Sequence, residues 1–394
     1  MRPRCCFVVE SGTDVRMVDG LTEHFDVSII ARRITGGVEV NWEPRVAVPT
    51  TIGPSSRAGF ARLVWRSLRR RGGFDIVMVQ GYGVAALVAN VASRMSGTPT
   101  LMLVCSPVES YYRCRREHPE PGKPYRAGEL AAARLLARVN GVVGRGYVVL
   151  SRHLAVVVRR HGTRRPVSVV PVYGIDTTYF TPAATPKTAI RAELGLPTTG
   201  ALLFFSSRIA PEKDSETLLA AVRQLLDAGR DLWVLHRSGG YRAFLESARA
   251  VGVGERVIAT DAVHPHRQLP RDYQATDLCV QASREEGLGF SPLEALACEV
   301  PVVATAVGGL RETIIDGETG WTYRAGDSVA LAGAIEAALR DPAEARRRAA
   351  NGRRMVCATY ERALVFGRLE ALVASRLRVV SPQEATRGAA INHA

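Results

Sequence analysis

The stretch Ala201-Leu202-Leu203-Phe204-Phe205-Ser206-Ser207-Arg208-Ile209-Ala210-Pro211-Glu212-Lys213-Asp214 begins apolar, turns polar and hands over to the amphipathic run Asp214–Asp227. A short apolar run, a polar turn and then a helical period make one strand–loop–helix unit. The unit recurs in both directions. Downstream, strands are expected at Leu232–His236, Val257–Ala259, Leu278–Gln281 and Val302–Thr305. The helices between and after them are Arg242–Val251, Pro292–Ala297 and Val329–Leu339, with Ala345–Arg376 largely helical. Upstream, Cys5–Val9, Asp26–Ala31, Asp75–Val79, Thr100–Val104, Gly146–Leu150 and Val167–Val170 read as strands, interleaved with helical patterns at Ala58–Arg70, Val84–Arg94 and Gly128–Arg138.

Strands alternating with helices predict an α/β protein with doubly wound parallel sheets. From Phe180 to Thr199 the texture changes, with Thr181-Pro182, Thr185-Pro186 and Pro197 marking a linker. The expected division is therefore a first Rossmann-like domain at 1–179, a linker at 180–199 and a second Rossmann-like domain at 200–365. A last helix at 366–380 returns to the first domain, and a disordered tail covers 381–394. Two such domains face each other across a cleft between sheet ends, where these folds bind ligands.

The 394 residues are 46% hydrophobic and 23% charged, which excludes disordered and fibrous classes. The formal charge of +14 is unevenly spread: residues 1–180 hold 26 Lys+Arg against 13 Asp+Glu, and residues 181–394 hold 26 against 25. A nucleic-acid coat over the whole molecule is thereby disfavoured, and the question becomes a basic face on one domain. Lys123, Lys187 and Lys213 are the only lysines in an arginine-rich chain. Seven cysteines without a C-x-x-C pair suggest a reducing compartment and no zinc site. No stretch reaches the about 18 apolar residues of a membrane span, so a cytoplasmic protein is expected.

Arg208 and Lys213 bracket the entrance to a helix whose first N–H groups and dipole favour an anion. Two cations there suit a diphosphate, although most Arg/Lys pairs are merely solvated surface charges. In the segment Glu285-Glu286-Gly287-Leu288-Gly289-Phe290-Ser291-Pro292-Leu293-Glu294, Gly287 and Gly289 let backbone approach a ligand. Glu286 follows a strand end and can accept hydrogen bonds from hydroxyls. Glu294 has two readings of equal weight: a ligand contact, or the acidic member of a capping box with Ser291.

Taken together, these pieces resemble the retaining, nucleotide-sugar-dependent glycosyltransferases of family 4, over residues 5–375 and most closely from Val148 to Tyr323. The carriers are E-x7-E at Glu286 and Glu294, the run Ala295–Thr305 after it, R-x4-K at Arg208 and Lys213, and the turns at Val307–Glu312 and Asp316–Gly320. The resemblance implies the GT-B fold, with Arg208 and Lys213 on the donor diphosphate. It further implies Glu286 and the backbone N–H groups of Gly287, Leu288, Gly289 and Phe290 on the donor sugar. Glu294 would hold the ribose, and Thr260 to Val263 would lie near the base. It implies no metal, since the two cations take that role, and no cofactor beyond the nucleoside-diphosphate sugar as co-substrate. Two family features are missing: Ser11-Gly12-Thr13-Asp14 offers one glycine where many relatives have a glycine-rich loop, and Val104–Glu109 lacks a histidine. Gly12, Ser106 and Glu109 are the acceptor-side candidates.

In the basic half, Arg57, Arg62, Arg66, Arg69, Arg70 and Arg71 share a helical run with Phe60, Leu63, Val64, Trp65 and Leu68. Such a helix either lies on an anionic membrane or packs its apolar stripe into a core with a solvated arginine face. Arg113, Arg115 and Arg116 beside Tyr111 and Tyr112 suit an anionic acceptor. The expected function is transfer of a sugar with retention to a glycan or polyprenyl-linked acceptor, in cell-surface polysaccharide or glycolipid synthesis at the inner membrane face, with no nucleic acid involved. The rivals are a sugar-nucleotide epimerase of the same fold and a non-catalytic arginine-rich binder of membranes or nucleic acids.

Overall fold

The structure, a computed structural model, describes residues 2–10, 12–34, 47–70, 72–119, 128–261 and 268–380. Arg71 and the tail 381–394 lie outside the described residues. Seven parallel strands form the first sheet: β1 (Arg4–Val9), β2 (Asp26–Arg32), β3 (Thr50–Gly53), β4 (Ile76–Gln80), β5 (Thr100–Val104), β6 (Tyr147–Val149) and β7 (Val167–Val169). Their order is β3-β2-β1-β4-β5-β6-β7. Six parallel strands form the second: β8 (Ala201–Phe204), β9 (Leu232–Arg237), β10 (Val257–Thr260), β11 (Leu278–Gln281), β12 (Val302–Thr305) and β13 (Trp321–Tyr323). Their order is β10-β9-β8-β11-β12-β13.

Parallel strands covered on both faces need apolar residues in succession rather than alternation. Cys5–Val9, Leu101–Val104 and Leu202–Phe205 are accordingly buried at every position. Burial drives the thiols of Cys5, Cys105 and Cys279 above their ordinary range, as befits cysteines used as small hydrophobes. β3 was not foreseen, because three of its four residues are exposed and its apolar content is a single Ile52. Helix starts follow the capping chemistry: Asp14, Ser56, Ser151, Asp214, Asp327 and Asp341 each accept a backbone N–H of the turn they open.

The chain forms two compact units. Of the described residues, the first holds those of 2–10, 12–34, 47–70, 72–106, 128–174 and 362–380; the second holds those of 107–119, 175–261 and 268–361. The stretch 180–199 is more than a connector. It carries the helix Lys187–Glu193, whose buried Arg191 donates to the carbonyls of Ala275 and Gly200 and pairs with Asp277 in the second unit. The helix Arg57–Leu68 buries Phe60, Val64 and Leu68 in the first unit's core and leaves Arg57, Arg62, Arg66, Arg69 and Arg70 exposed around it. Phe60, Val64 and Leu68 are therefore committed to the core, with Leu63 and Trp65 half-buried beside them. Among the described residues no helix is long and apolar enough to cross a membrane.

Candidate active site

In the second sheet β8 and β11 are neighbours, and the chain leaves them toward opposite edges. The loops at their C-terminal ends therefore diverge and open a crevice, the usual ligand position of a doubly wound sheet. The β8 loop carries Ser206–Lys213, and the β11 loop carries Ala282–Gly289. Arg208, Lys213, Glu286 and Gly287–Gly289 thus come together at one place, and two connections tie the loops.

The first connection centres on Glu286. Its carboxylate pairs with the Lys213 ammonium, and both side chains are nearly buried. The same Oε2 lies 3.3 Å from Gln281 Nε2 and 3.3 Å from Ser283 Oγ, while Oε1 accepts the Gly287 N–H at 3.2 Å. Gln281 in turn accepts from Ser207 Oγ at 2.9 Å and donates to Ser283 at 2.7 Å. A buried carboxylate is stable only when its lone pairs are occupied, and here four donors surround it.

The second connection centres on Glu294, whose side chain is buried. Tyr273 donates its hydroxyl proton to Glu294 Oε2 at 2.9 Å and lies 3.1 Å from Ser206 Oγ. Burial, with Glu294 alongside, holds the Tyr273 phenol well above its ordinary range. The helix bearing Glu294 runs Phe290–Ala297 and starts on Gly289 at φ +93 without a side-chain cap. Ser291 is inside that helix, so the capping-box reading of Glu294 does not hold.

Two glycines complete the frame. Gly309 N–H donates to the Glu286 carbonyl at 3.0 Å. A Cβ on Gly308 would stand 2.1 Å from that same carbonyl oxygen, and one on Gly309 would stand 2.2 Å from the Gly287 oxygen. Only glycine lets the turn after β12 press against the Glu286–Gly287 backbone. Gln281, Ser283 and Tyr273 were not singled out in the sequence; the glycine pair lies in the Val307–Glu312 turn that carries the resemblance, with no role given to it there.

Arg208 behaves differently from Lys213. Its side chain is 68% exposed, with one guanidinium nitrogen 3.6 Å from Glu212 Oε1. Glu212 is fully buried, and neither of its carboxylate oxygens accepts a hydrogen bond from a described residue. Asp214 closes the loop at φ +50, accepting from Thr217 Oγ1 at 2.7 Å and from Arg284 at 2.6 Å. The helix Val108–Glu117 packs on this loop within the second unit. Its Cys114 thiol is raised to about 11, by burial first and then by Glu212. Burial also raises the neighbouring Glu285 carboxyl, with Arg113 and Ser110 acting against it.

The remaining candidates lie elsewhere. Thr260 ends β10 and accepts from Arg237 at 3.1 Å. Arg237 stands 2.7 Å from the buried Asp272, whose carboxyl burial pushes up to about 6 despite that guanidinium. Val263 lies outside the described residues. Gly12, at φ +82, and Ser106 belong to the first unit, whereas Glu109 lies on the helix Val108–Glu117 in the second. Among the described residues, no group of His, Cys, Asp and Glu side chains is placed to hold a metal ion.

Residues 186–355 match the family described as glycosyl transferases group 1. Among curated relatives, a D-inositol 3-phosphate glycosyltransferase of Xylanimonas cellulosilytica is 36% identical over 198 residues, 48% of this chain and 46% of its own length. The chain thus spans about half the length of such relatives. A 2-deoxystreptamine glucosyltransferase of Streptomyces kanamyceticus is 31% identical over 286 residues, 70% of this chain and 71% of its own. Among solved structures, sucrose-phosphate synthase of Thermosynechococcus elongatus superposes with a TM-score of 0.77 at 21% identity, covering 96% of this chain and 100% of that one. Anabaena HepE in complex with UDP-glucose gives 0.75 at 16%, covering 95% and 100%. These likenesses establish the fold as GT-B.

Proposed function

The chain belongs to the group 1 glycosyl transferases, and on that premise we propose that it moves a sugar from a nucleoside diphosphate to a hydroxyl acceptor with retention of anomeric configuration. The observation that carries the donor assignment is the Lys213–Glu286 pair at the point where the second sheet changes direction. A cation and a carboxylate held side by side match a ligand that has a diphosphate at one end and sugar hydroxyls at the other. Glu286 accepts from the sugar hydroxyls, Glu294 from the ribose, and Gly287–Phe290 supply backbone N–H groups. Thr260 and Val263 border the base.

The chemistry required of the protein is modest. As the glycosidic bond lengthens, negative charge grows on the departing diphosphate and positive charge on the sugar ring. Lys213, with Arg208 moving in from solvent, stabilises the first, and Glu286 faces the second. Interactions that strengthen only as charge develops lower the barrier. The two cations make a divalent ion unnecessary in this reading. Alignment within the crevice supplies much of the remainder.

The acceptor is a glycan or polyprenyl-linked sugar, on the acceptor side where Gly12, Ser106 and Glu109 are the candidates, in a cytoplasmic enzyme working at the inner membrane face. A second acceptor class has its own support. Both named relatives carry cyclitols in their names, D-inositol 3-phosphate and 2-deoxystreptamine, so a small polyhydroxylated ring belongs in the same assay. The test incubates the chain with UDP-, GDP- and ADP-sugars and each acceptor class, reading product anomer by NMR. Donor-dependent transfer with retained configuration is expected. Conversion of the sugar nucleotide without an acceptor indicates an epimerase, and stabilisation by no nucleoside diphosphate contradicts the site.

A further inference from the structure

At the opposite end of the first sheet from its strand-crossing loops, four arginines gather around residues 142–146. Arg94 donates to the Val143 carbonyl at 2.6 Å, and Arg165 donates to the Val142 carbonyl at 3.0 Å. Arg145 follows two residues later, and a Cβ on Gly146 would lie 3.9 Å from an Arg376 guanidinium nitrogen. Capping the last carbonyls of the helix Glu129–Val143 explains one or two cations, not four. Arg145 is held below the usual arginine range by burial first, then by Arg94 and Arg165, and no carboxylate acts on it. Among the described residues, none of these four forms an ion pair.

The same two helices also expose apolar side chains. Val91 and Met95 stand four residues apart on the helix Val84–Ser96, and Leu135 and Val142 stand seven apart on Glu129–Val143, so each pair shares a face. Met95, Leu135 and Val142 are each more than 60% exposed. The two helices pack against each other, and Arg94 of the first bonds to Val143 of the second, so the exposed apolar pairs stand on adjoining helices of one unit whose ends the arginines surround.

We propose that this surface docks the chain on an anionic phospholipid bilayer, with the arginines on headgroup phosphates and Met95, Val142 and Leu135 entering the acyl boundary. Charge complementarity selects this occupant. An isologous dimer through the same face would bring the four guanidinium groups toward their own copies, whereas a bilayer of phosphatidylglycerol supplies the missing counter-charge. The helix Arg57–Leu68 offers less apolar surface, since Phe60, Val64 and Leu68 are buried in the core and Leu63 and Trp65 are half-buried.

The test is co-sedimentation of the full chain with vesicles of phosphatidylcholine, with and without phosphatidylglycerol. Binding only to the anionic vesicles is expected. Arg145→Gln lowers the partition coefficient about fivefold. The double variant Met95→Ser, Val142→Ser lowers it about tenfold or more, by an amount that persists at high salt. The double variant Arg62→Gln, Arg66→Gln changes it less than either. All these side chains are at least partly exposed, and unchanged melting temperatures confirm that the variants fold. Three results overturn the proposal: equal binding to both vesicle types, loss of binding confined to the Arg62 and Arg66 variant, or release by inorganic phosphate beyond that of sodium chloride at equal ionic strength. A dimer that Met95→Ser, Val142→Ser converts to monomer with vesicle binding intact overturns it too, and assigns the face to a second copy.

Discussion

The two sheets share one strand order through their first six strands, yet the points where they change direction are furnished in opposite ways. In the first unit, the loop after β1 turns the Glu10 carboxylate back onto the start of the helix Val84–Ser96, where Oε2 accepts the Ala85 N–H at 3.3 Å. Arg57 lies 3.6 Å from its other oxygen. The seat that a helix N-terminus offers an anion is there filled by the chain itself. In the second unit, the loops after β8 and β11 present a lysine and a carboxylate side by side, and the helix Phe290–Ala297 starts on a bare glycine. Topology makes a crevice in both; the residues placed at its mouth decide which is the candidate site.

This contrast can be broken most sharply by charge removal. Lys213→Ala or Glu286→Ala is expected to reduce turnover about 10²–10³-fold or more with the fold intact, measured with the donor found active in the panel. Glu10→Gln should leave turnover within assay error and lower the melting temperature slightly. Comparable activity losses at both positions would erase the distinction between the two crossing points.

Glycine substitutions sharpen the same comparison. Gly308→Ala puts a methyl group 2.1 Å from the Glu286 carbonyl, so the β11 loop must move and donor affinity and stability fall together. Gly81 lies in the loop after β4, the first sheet's counterpart of the β11 loop, at φ +86 with nothing within 4 Å of an added Cβ. Gly81→Ala should cost about 1–2 kcal/mol of backbone strain and no donor affinity. Thermal melts with and without nucleoside diphosphate separate the two outcomes.

A smaller effect comes from Tyr273→Phe, which leaves Glu294 Oε2 without its phenolic donor. A loss of about 1–3 kcal/mol in stability is expected, and the Michaelis constant for the donor should rise more than kcat falls. The least effect is a pH dependence. Asp272 has a carboxyl raised to about 6 by burial. Its contribution to stability is full below the ordinary carboxylate range and is lost as pH rises through about 6. His236 is opposite: burial holds its imidazole below the ordinary value, so its contribution is present above that value and is lost as pH falls. Asp272→Asn should therefore gain melting temperature relative to the parent chain on the alkaline side and lose that advantage in acid.

Much of this was legible from residues alone. Apolar runs such as Cys5–Val9 and Leu202–Phe204 are short, end in polar turns and are buried at every position, as strands of a doubly covered sheet require. The pairings R-x4-K and E-x7-E brought Arg208, Lys213, Glu286 and Glu294 into view, and the structure places them on loops and a helix around one sheet crossing. What was hidden depended on contacts between distant segments. Gln281 and Ser283 read as a strand end until Glu286 turns back on them. Tyr273 carries no sequence signal of its own, and only in the fold does its hydroxyl meet Glu294, 21 residues on. The helix Val108–Glu117 follows a strand of the first sheet yet packs in the second unit, which no local pattern signals. Ser291-x-x-Glu294 fits a capping box in composition, but a positive φ at Gly289 starts the helix two residues earlier.

The most direct test of the central claim is hydrogen exchange of the full chain with and without saturating nucleoside diphosphate. Protection is expected at residues 206–214 and 282–294, the loops after β8 and β11, and little change at 12–14 and 81–85 in the first unit. Lys213→Ala should remove the first protection. Protection confined to the first unit's loops, or indifference to Lys213→Ala, would contradict the account.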